Sequence, residues 1–143
     1  MPTLTVADLL NAGRLEHVPA DRTAALTRLQ VAETHLVTAA ALVGVDNDVA
    51  YTALYDAARK AIVAHMLANG LRAPSRMGAH EAVGIYAKEC IPDPAGSMTQ
   101  FQQMRRRRNK SEYDNLLLGL QDVETDLGHA IDIVAAVKVE LAR

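Results

Sequence analysis

Apolar residues recur along this chain at alternating steps of three and four, the spacing that puts them on one side of an α-helix. Over about residues 20–43 the stripe is Leu29, Ala32, Leu36, Ala39 and Val43, which predicts a long amphipathic helix. Gly44 can close that helix in a left-handed conformation, and the cluster Asp46-Asn47-Asp48 offers side-chain oxygens to cap the next one. An antiparallel hairpin is therefore expected. The second long helix should span about 48–68 and stop at Asn69-Gly70. It would bury Leu54, Ala58, Ala61 and His65, or a neighbouring stripe through Tyr55 and Ile62, and its small side chains permit close packing.

Pro74 and Ser75 mark a loop, and 78–91 reads as a shorter helix with Val83, Tyr86, Ala87 and Cys90 inward. The run from Pro92 to Gly96 breaks the chain. Ser97 and Gln100 then have capping-box spacing at the start of a helix carrying Phe101, Met104 and a run of arginines. A helix continuing from there to Ala142 would outrun a domain of this size, so a break is expected over 114–119. The last helix, about 120–142, repeats Leu120, Val123, Leu127, Ile131, Val134, Val137 and Leu141. Ahead of all this, residues 1–18 hold at most one short helix, closed by Gly13 and set apart by Pro19. The prediction is an all-α, four- to five-helix up-and-down bundle over 19–143, preceded by a short N-terminal helix or arm over 1–18.

Composition agrees with this pattern. A chain of 143 residues that is 50% hydrophobic can fill the core of one domain. Phenylalanine occurs once and tryptophan never, which suits helices packed through small side chains better than aromatic-rich sheets. Cys90 is the single cysteine, so no internal disulfide and no zinc-ligand pattern is expected, and a reducing compartment fits. The first residues lack the basic start and apolar run of a signal peptide. The longest weakly polar run, 36–45, is too short to cross a bilayer. A cytoplasmic protein without a membrane segment is expected.

The formal net charge of −2 hides an asymmetry. Arg105, Arg106, Arg107, Arg108 and Lys110 hold five of the fifteen basic residues within six positions, and the remaining ten face seventeen acidic ones. An acidic body thus carries one concentrated positive patch. On a helix, Arg105, Asn109 and Tyr113 share a face, with Arg108 at its border. Two readings stand side by side. The arginines form a solvated surface with Glu112 as an intrahelical partner, or their guanidinium forks bind phosphate, as RNA would supply. Phe101 and Tyr113 are the aromatic residues near the patch, too few for sequence-specific stacking on bases. His65 on an alanine-rich face fits a hydrogen-bonded core residue, and His80 near a helix start fits a cap or loop contact. His17, His35 and His129 show no metal-ligand spacing, so neither a metal nor another cofactor is expected.

The segment from Leu54 to Ala61, read with Ala68-Asn69-Gly70-Leu71, Gly78-Ala79-His80-Glu81 and Arg107-Arg108-Asn109 through Tyr113, resembles the HEPN superfamily of small helical bundles. The resemblance covers roughly residues 20–142 and is similar to the members that carry Arg-Asn-x-x-x-Tyr. It implies a bundle of four or five helices, often a homodimer whose motif helices face a shared cleft. Many such proteins are metal-independent endoribonucleases or toxins, often paired with a nucleotidyltransferase-like antitoxin, and others are non-catalytic binding modules. Carried onto this chain, Arg108 matches the motif arginine, Asn109 the polar residue after it, and Tyr113 stands where a histidine is expected. In the family mechanism the histidine assists the ribose 2′-hydroxyl and the arginine stabilises the charge on the phosphate. A tyrosine with a pKa of about 10 is a poor base near neutrality. Either the arginines acidify Tyr113, or His80 or His65 reaches the cleft from another helix. The expected function is RNA association, in a toxin–antitoxin or defence setting, with weak or absent cleavage. Arg105, Arg106, Arg107 and Lys110 would bind phosphate. The alternative is a non-catalytic helical binding or dimerisation module that engages a protein or nucleotide through the same patch.

Overall fold

The helical periodicity becomes six α-helices among the residues described by the computed structural model: 3–93, 95–113 and 117–143, with Glu112 and Tyr113 described by backbone alone. They are α1 (Val6–Asn11), α2 (Arg22–Leu42), α3 (Asn47–Ala68), α4 (Ala79–Cys90), α5 (Phe101–Tyr113) and α6 (Leu120–Leu141). The chain is an all-α helical bundle. The α2–α3 hairpin forms as its turn residues predict. Gly44 takes a left-handed φ of 79°, Asn47 accepts from its N–H at 2.8 Å, and Asp46 caps α3 by accepting from the N–H of Val49 at 3.2 Å.

The central element is α3, which packs against α2, α4, α5 and α6. Both stripes predicted for it are buried, because helices cover it on more than one side: Leu54, Ala58, Ala61 and His65 lie inside together with Tyr55 and Ile62. Tyr51 is buried as well, and its hydroxyl donates to Asp126 of α6 at 2.6 Å. Arg107 of α5 pairs with the same carboxylate oxygen. This triad ties three helices together.

Three expectations need correction. The inward stripe of α6 runs through Val123, Asp126, Ala130, Ile133, Val134, Val137 and Leu141, while Leu120 and Ile131 stay about half exposed. Asp126 turns inward to accept from Tyr51 and Arg107, so the buried face keeps Val123, Val134, Val137 and Leu141 of the predicted repeat and adds Asp126, Ala130 and Ile133. Ser97 and Gln100 form no capping box. Residues Ser97–Gln100 form a single 3₁₀ turn, and Asp93 accepts from the N–H of Met98 at 2.5 Å. The Ser97 hydroxyl instead contacts Asp132 and His129 on α6, at 3.1 and 3.0 Å. Cys90 is only partly buried. The expected break before α6 is seen at 117–119, which are not helical, and its earlier part, 114–116, lies outside the described residues.

Residues ahead of α2 contribute to the core, with Leu9 and Leu15 buried. A two-residue strand, β1 (Glu16–His17), pairs antiparallel with β2 (Leu71–Arg72), an element that the sequence pattern does not announce. No helix among the described residues is long and apolar enough to cross a membrane.

Replacing Asp126 with Ala leaves the guanidinium without its acceptor and the Tyr51 hydroxyl with only a long contact to the Met104 carbonyl at 3.4 Å, and is expected to lower stability by about 2–4 kcal/mol. The lower end applies, because the Arg107 side chain keeps 25% of its surface in water. The triple variant Y51F/R107M/D126L should recover most of the loss in urea unfolding, since all the polar groups then leave together.

Candidate functional site

Helix geometry divides the arginine run among three sides of α5. Arg107 is drawn toward Asp126. Arg106 and Lys110 are exposed and line, with Gln103 and Arg107 itself, a shallow hollow of about 320 Å³. Arg105 and Arg108 lie on the side facing α3 and α4, where Arg108 rests over the ring of Tyr55, its guanidinium carbon 5.6 Å from the ring centroid. Phe101 stacks on the same tyrosine at 5.2 Å and 19°. The Tyr55 hydroxyl is 2.8 Å from Nδ1 of His80 on α4. Arg59, one turn along α3 from Tyr55, has Asp56 at 3.9 Å. The buried Nε atoms of Arg59 and Arg108 have no hydrogen-bond partner among the described residues.

The electrostatics of this cluster have a definite sign. Burial pushes the Tyr55 pKa well up, and the opposing pull of Arg59, Arg108 and Arg105 does not offset it. Tyr55 therefore keeps its proton, and its hydroxyl donates to Nδ1 or accepts from Nδ1–H according to the imidazole tautomer. His80 is pushed below the usual histidine range, first by burial and then by Arg59 and Arg108, against a smaller upward pull from Asp56. It is neutral at pH 7. Its Nε2 has no protein partner among the described residues, so it can meet a ligand. Two guanidinium groups, Arg59 with Asp56 as its one acidic neighbour among the described residues, stand beside a neutral imidazole, and this excess of positive charge suits an anion such as phosphate.

The position of His80 is set from outside the cluster. Arg14 donates to the carbonyl of Gly78 at 3.2 Å and to Glu81 at 2.7 Å, which fixes the first turn of α4 to the N-terminal arm. Gln102 donates to the Glu81 carbonyl at 2.9 Å and binds the same turn to α5. The two helices approach closely at Gly84, where a Cβ would overlap the Gln102 amide and come within 3.1 Å of the Phe101 ring.

Of the residues singled out by sequence, Arg105, Arg108 and His80 come together. Arg106 and Lys110 face elsewhere, and Arg107 is taken up by an internal ion pair. Asn109 is half-buried on α5. Tyr113 is helical in backbone, and its side chain lies outside the described residues. His65 belongs to a separate buried group, with Tyr86 at 2.7 Å on Nδ1 and Glu140 at 3.2 Å on Nε2. Ser97, His129 and Asp132 have the composition of a hydrolase triad but not its wiring. Ser97 is 1% exposed and contacts both partners itself, so it holds the 3₁₀ turn to α6. Among the described residues no three His, Cys, Asp or Glu side chains gather as metal ligands would.

Tyr55 and Arg59 carry the cluster, yet the sequence does not mark them as functional. The available signal was a tyrosine and an arginine one turn apart on a helix otherwise rich in alanine.

In an NMR titration the His80 ring should titrate below 6.5, the usual value. Arg59→Gln or Arg108→Gln should move it partway back up, because burial remains. The unfolded chain binds this proton more readily, so His80 should cost stability as pH falls from 6.5 through its folded pKa. His80→Gln should flatten that part of the pH–stability curve. Gly84→Ala should cost about 1–3 kcal/mol by forcing α4 and α5 apart, visible as a lower melting temperature.

Comparison with known proteins gives no relative: no family model, no curated protein and no solved structure matches the chain.

Proposed function

We propose that this chain is a HEPN-type, RNA-associated protein that binds phosphate at Arg108, Arg105 and Arg59 and uses His80 in place of the missing motif histidine. The observation that supports this reading best is the approach of a neutral imidazole, hydrogen-bonded to Tyr55, to the side of α5 that carries Arg108. For catalysis the Tyr55 oxygen would accept from Nδ1–H, which leaves Nε2 unprotonated. That nitrogen takes the proton of a ribose 2′-hydroxyl as the oxygen attacks the adjacent phosphorus. The bond from phosphorus to the 5′-oxygen breaks, and that oxygen receives a proton from the imidazolium. The guanidinium groups stabilise the charge on the phosphate throughout. No metal ion is needed for this sequence of steps.

A homodimer that brings two such clusters to one cleft, and a nucleotidyltransferase-like antitoxin as partner, belong to the same proposal. The separate hollow beside Arg106 and Lys110 favours a second reading, a binding module that engages a protein or nucleotide through its exposed cations. Charge reversal at both positions separates the two.

Purified protein with structured RNA in the presence of a chelator should yield 2′,3′-cyclic phosphate ends. Arg108→Ala and His80→Ala should each lower the rate by about 100-fold or more, whereas R106E/K110E should retain cleavage. RNA left intact by the wild type would remove the cleavage reading. Retention of that RNA on a filter, lost in R106E/K110E and kept in Arg108→Ala, would assign binding to the exposed cations, as the second reading requires, and not to Arg108.

A further inference from the structure

Behind His80, between α2, α3 and α4, lies a cavity of about 300 Å³. Val63, Met66, Leu71 and Val83 give it an apolar lining, and the cations at its surface are Arg28, Arg59 and Arg72, joined by the His80 ring. The three guanidinium groups are not equivalent. Arg72 is paired with Glu16 of β1, and Arg59 has Asp56 at 3.9 Å. Arg28, exposed on α2, has no ion-pair partner among the described residues. His80 is neutral at pH 7 and adds a hydrogen-bonding group without a charge. No carboxylate lines the cavity among the described residues, so it offers one uncompensated positive charge at the edge of an apolar space.

We propose that this cavity binds an aliphatic monocarboxylate of medium chain length, with its carboxylate at Arg28 and its hydrocarbon chain over Val63, Met66 and Val83. The balance of charge sets the headgroup. A single uncompensated guanidinium matches a monoanion and can hold both carboxylate oxygens in its fork. A dianionic phosphate would keep one charge unmatched beside apolar side chains. The lining sets the rest of the ligand. Hydroxyls pressed against Val, Met and Leu lose water with nothing to replace it, whereas every methylene buried there is favourable. The volume lies at the lower end of small-molecule pockets, which keeps the chain short. This site stands apart from the RNA reading, because its anchor, Arg28, takes no part in the cluster around Tyr55.

NMR titration of the full chain with butanoate, hexanoate and octanoate should shift the methyl groups of Val63 and Met66, octanoate with a Kd of about 1 mM or tighter. Each added pair of methylenes should tighten binding by about tenfold. Octan-1-ol, which has the same chain and no charge, should bind at least about tenfold more weakly than octanoate. Arg28→Gln, at an exposed position, and independently Ala73→Phe, which fills the cavity, should each weaken octanoate by about tenfold in protein whose spectrum is otherwise native. Affinity that does not rise with chain length, equal affinity for octan-1-ol, tighter binding of AMP at the same methyl groups, or full octanoate affinity in both variants would overturn the site. Octanoate binding with RNA left intact would support this site and remove the cleavage reading, and RNA cleavage without octanoate binding would do the reverse.

Discussion

A hydroxyl or imidazole taken out of water costs free energy unless a new partner replaces the lost hydrogen bonds, and α3 carries three such groups into the core. Tyr51 finds Asp126 on α6, Tyr55 finds His80 on α4, and His65 finds Tyr86 on α4 and Glu140 on α6. The alanines between them let neighbouring helices come close enough to offer those partners. Apolar contact alone would tolerate small rotations of α4 and α6 about their axes. The three polar contacts do not, because hydrogen bonds weaken quickly with distance and angle.

The same constraint gives the arginine run its division of labour. Successive positions on a helix point about 100° apart, so four arginines in a row cannot form one surface. Arg107 is held by the carboxylate that also serves Tyr51, and burial at that point is outweighed by Asp126, which raises the guanidinium pKa further. Arg108 meets an aromatic face instead of a carboxylate among the described residues. One arginine thus stabilises the bundle through an ion pair, while another rests on an aromatic ring. The contrast between Arg107 and Arg108 follows from which neighbour each one meets.

The N-terminal arm takes part in this arrangement at a distance. Arg14 grips the first turn of α4, the N–H of Val6 donates to Glu89 near its far end at 3.1 Å, and β1 pairs with the strand just before the loop that leads into α4. Holding both ends of a 12-residue helix limits the freedom of His80 relative to Tyr55 and Arg108. Gly84 complements this from the other side by letting α5 approach without a steric barrier. Proper geometry at the cluster of Tyr55, His80 and Arg108 therefore depends on contacts made well away from it.

Helix number, the α2–α3 turn and the all-α class were legible in the sequence, because periodic apolar spacing and residues such as Gly44 and Asp46 act over a few neighbours. The inward turn of Asp126 on α6 was not, since an aspartate in the polar stretch Glu124-Thr125-Asp126 reads as solvent-facing until Tyr51 and Arg107 are seen to need it. Ser97 misled for a similar reason: its spacing to Gln100 is a local signal, and contacts with His129 and Asp132 override it. Arg108 and His80 could be singled out by type and position, yet their approach through Tyr55, and the cavity shared with Arg59 and Arg28, required the packing of α3, α4 and α5. Local propensity settles where the chain coils and turns; which polar groups meet is decided by contacts between residues 19 or more positions apart, and no short-range pattern encodes them.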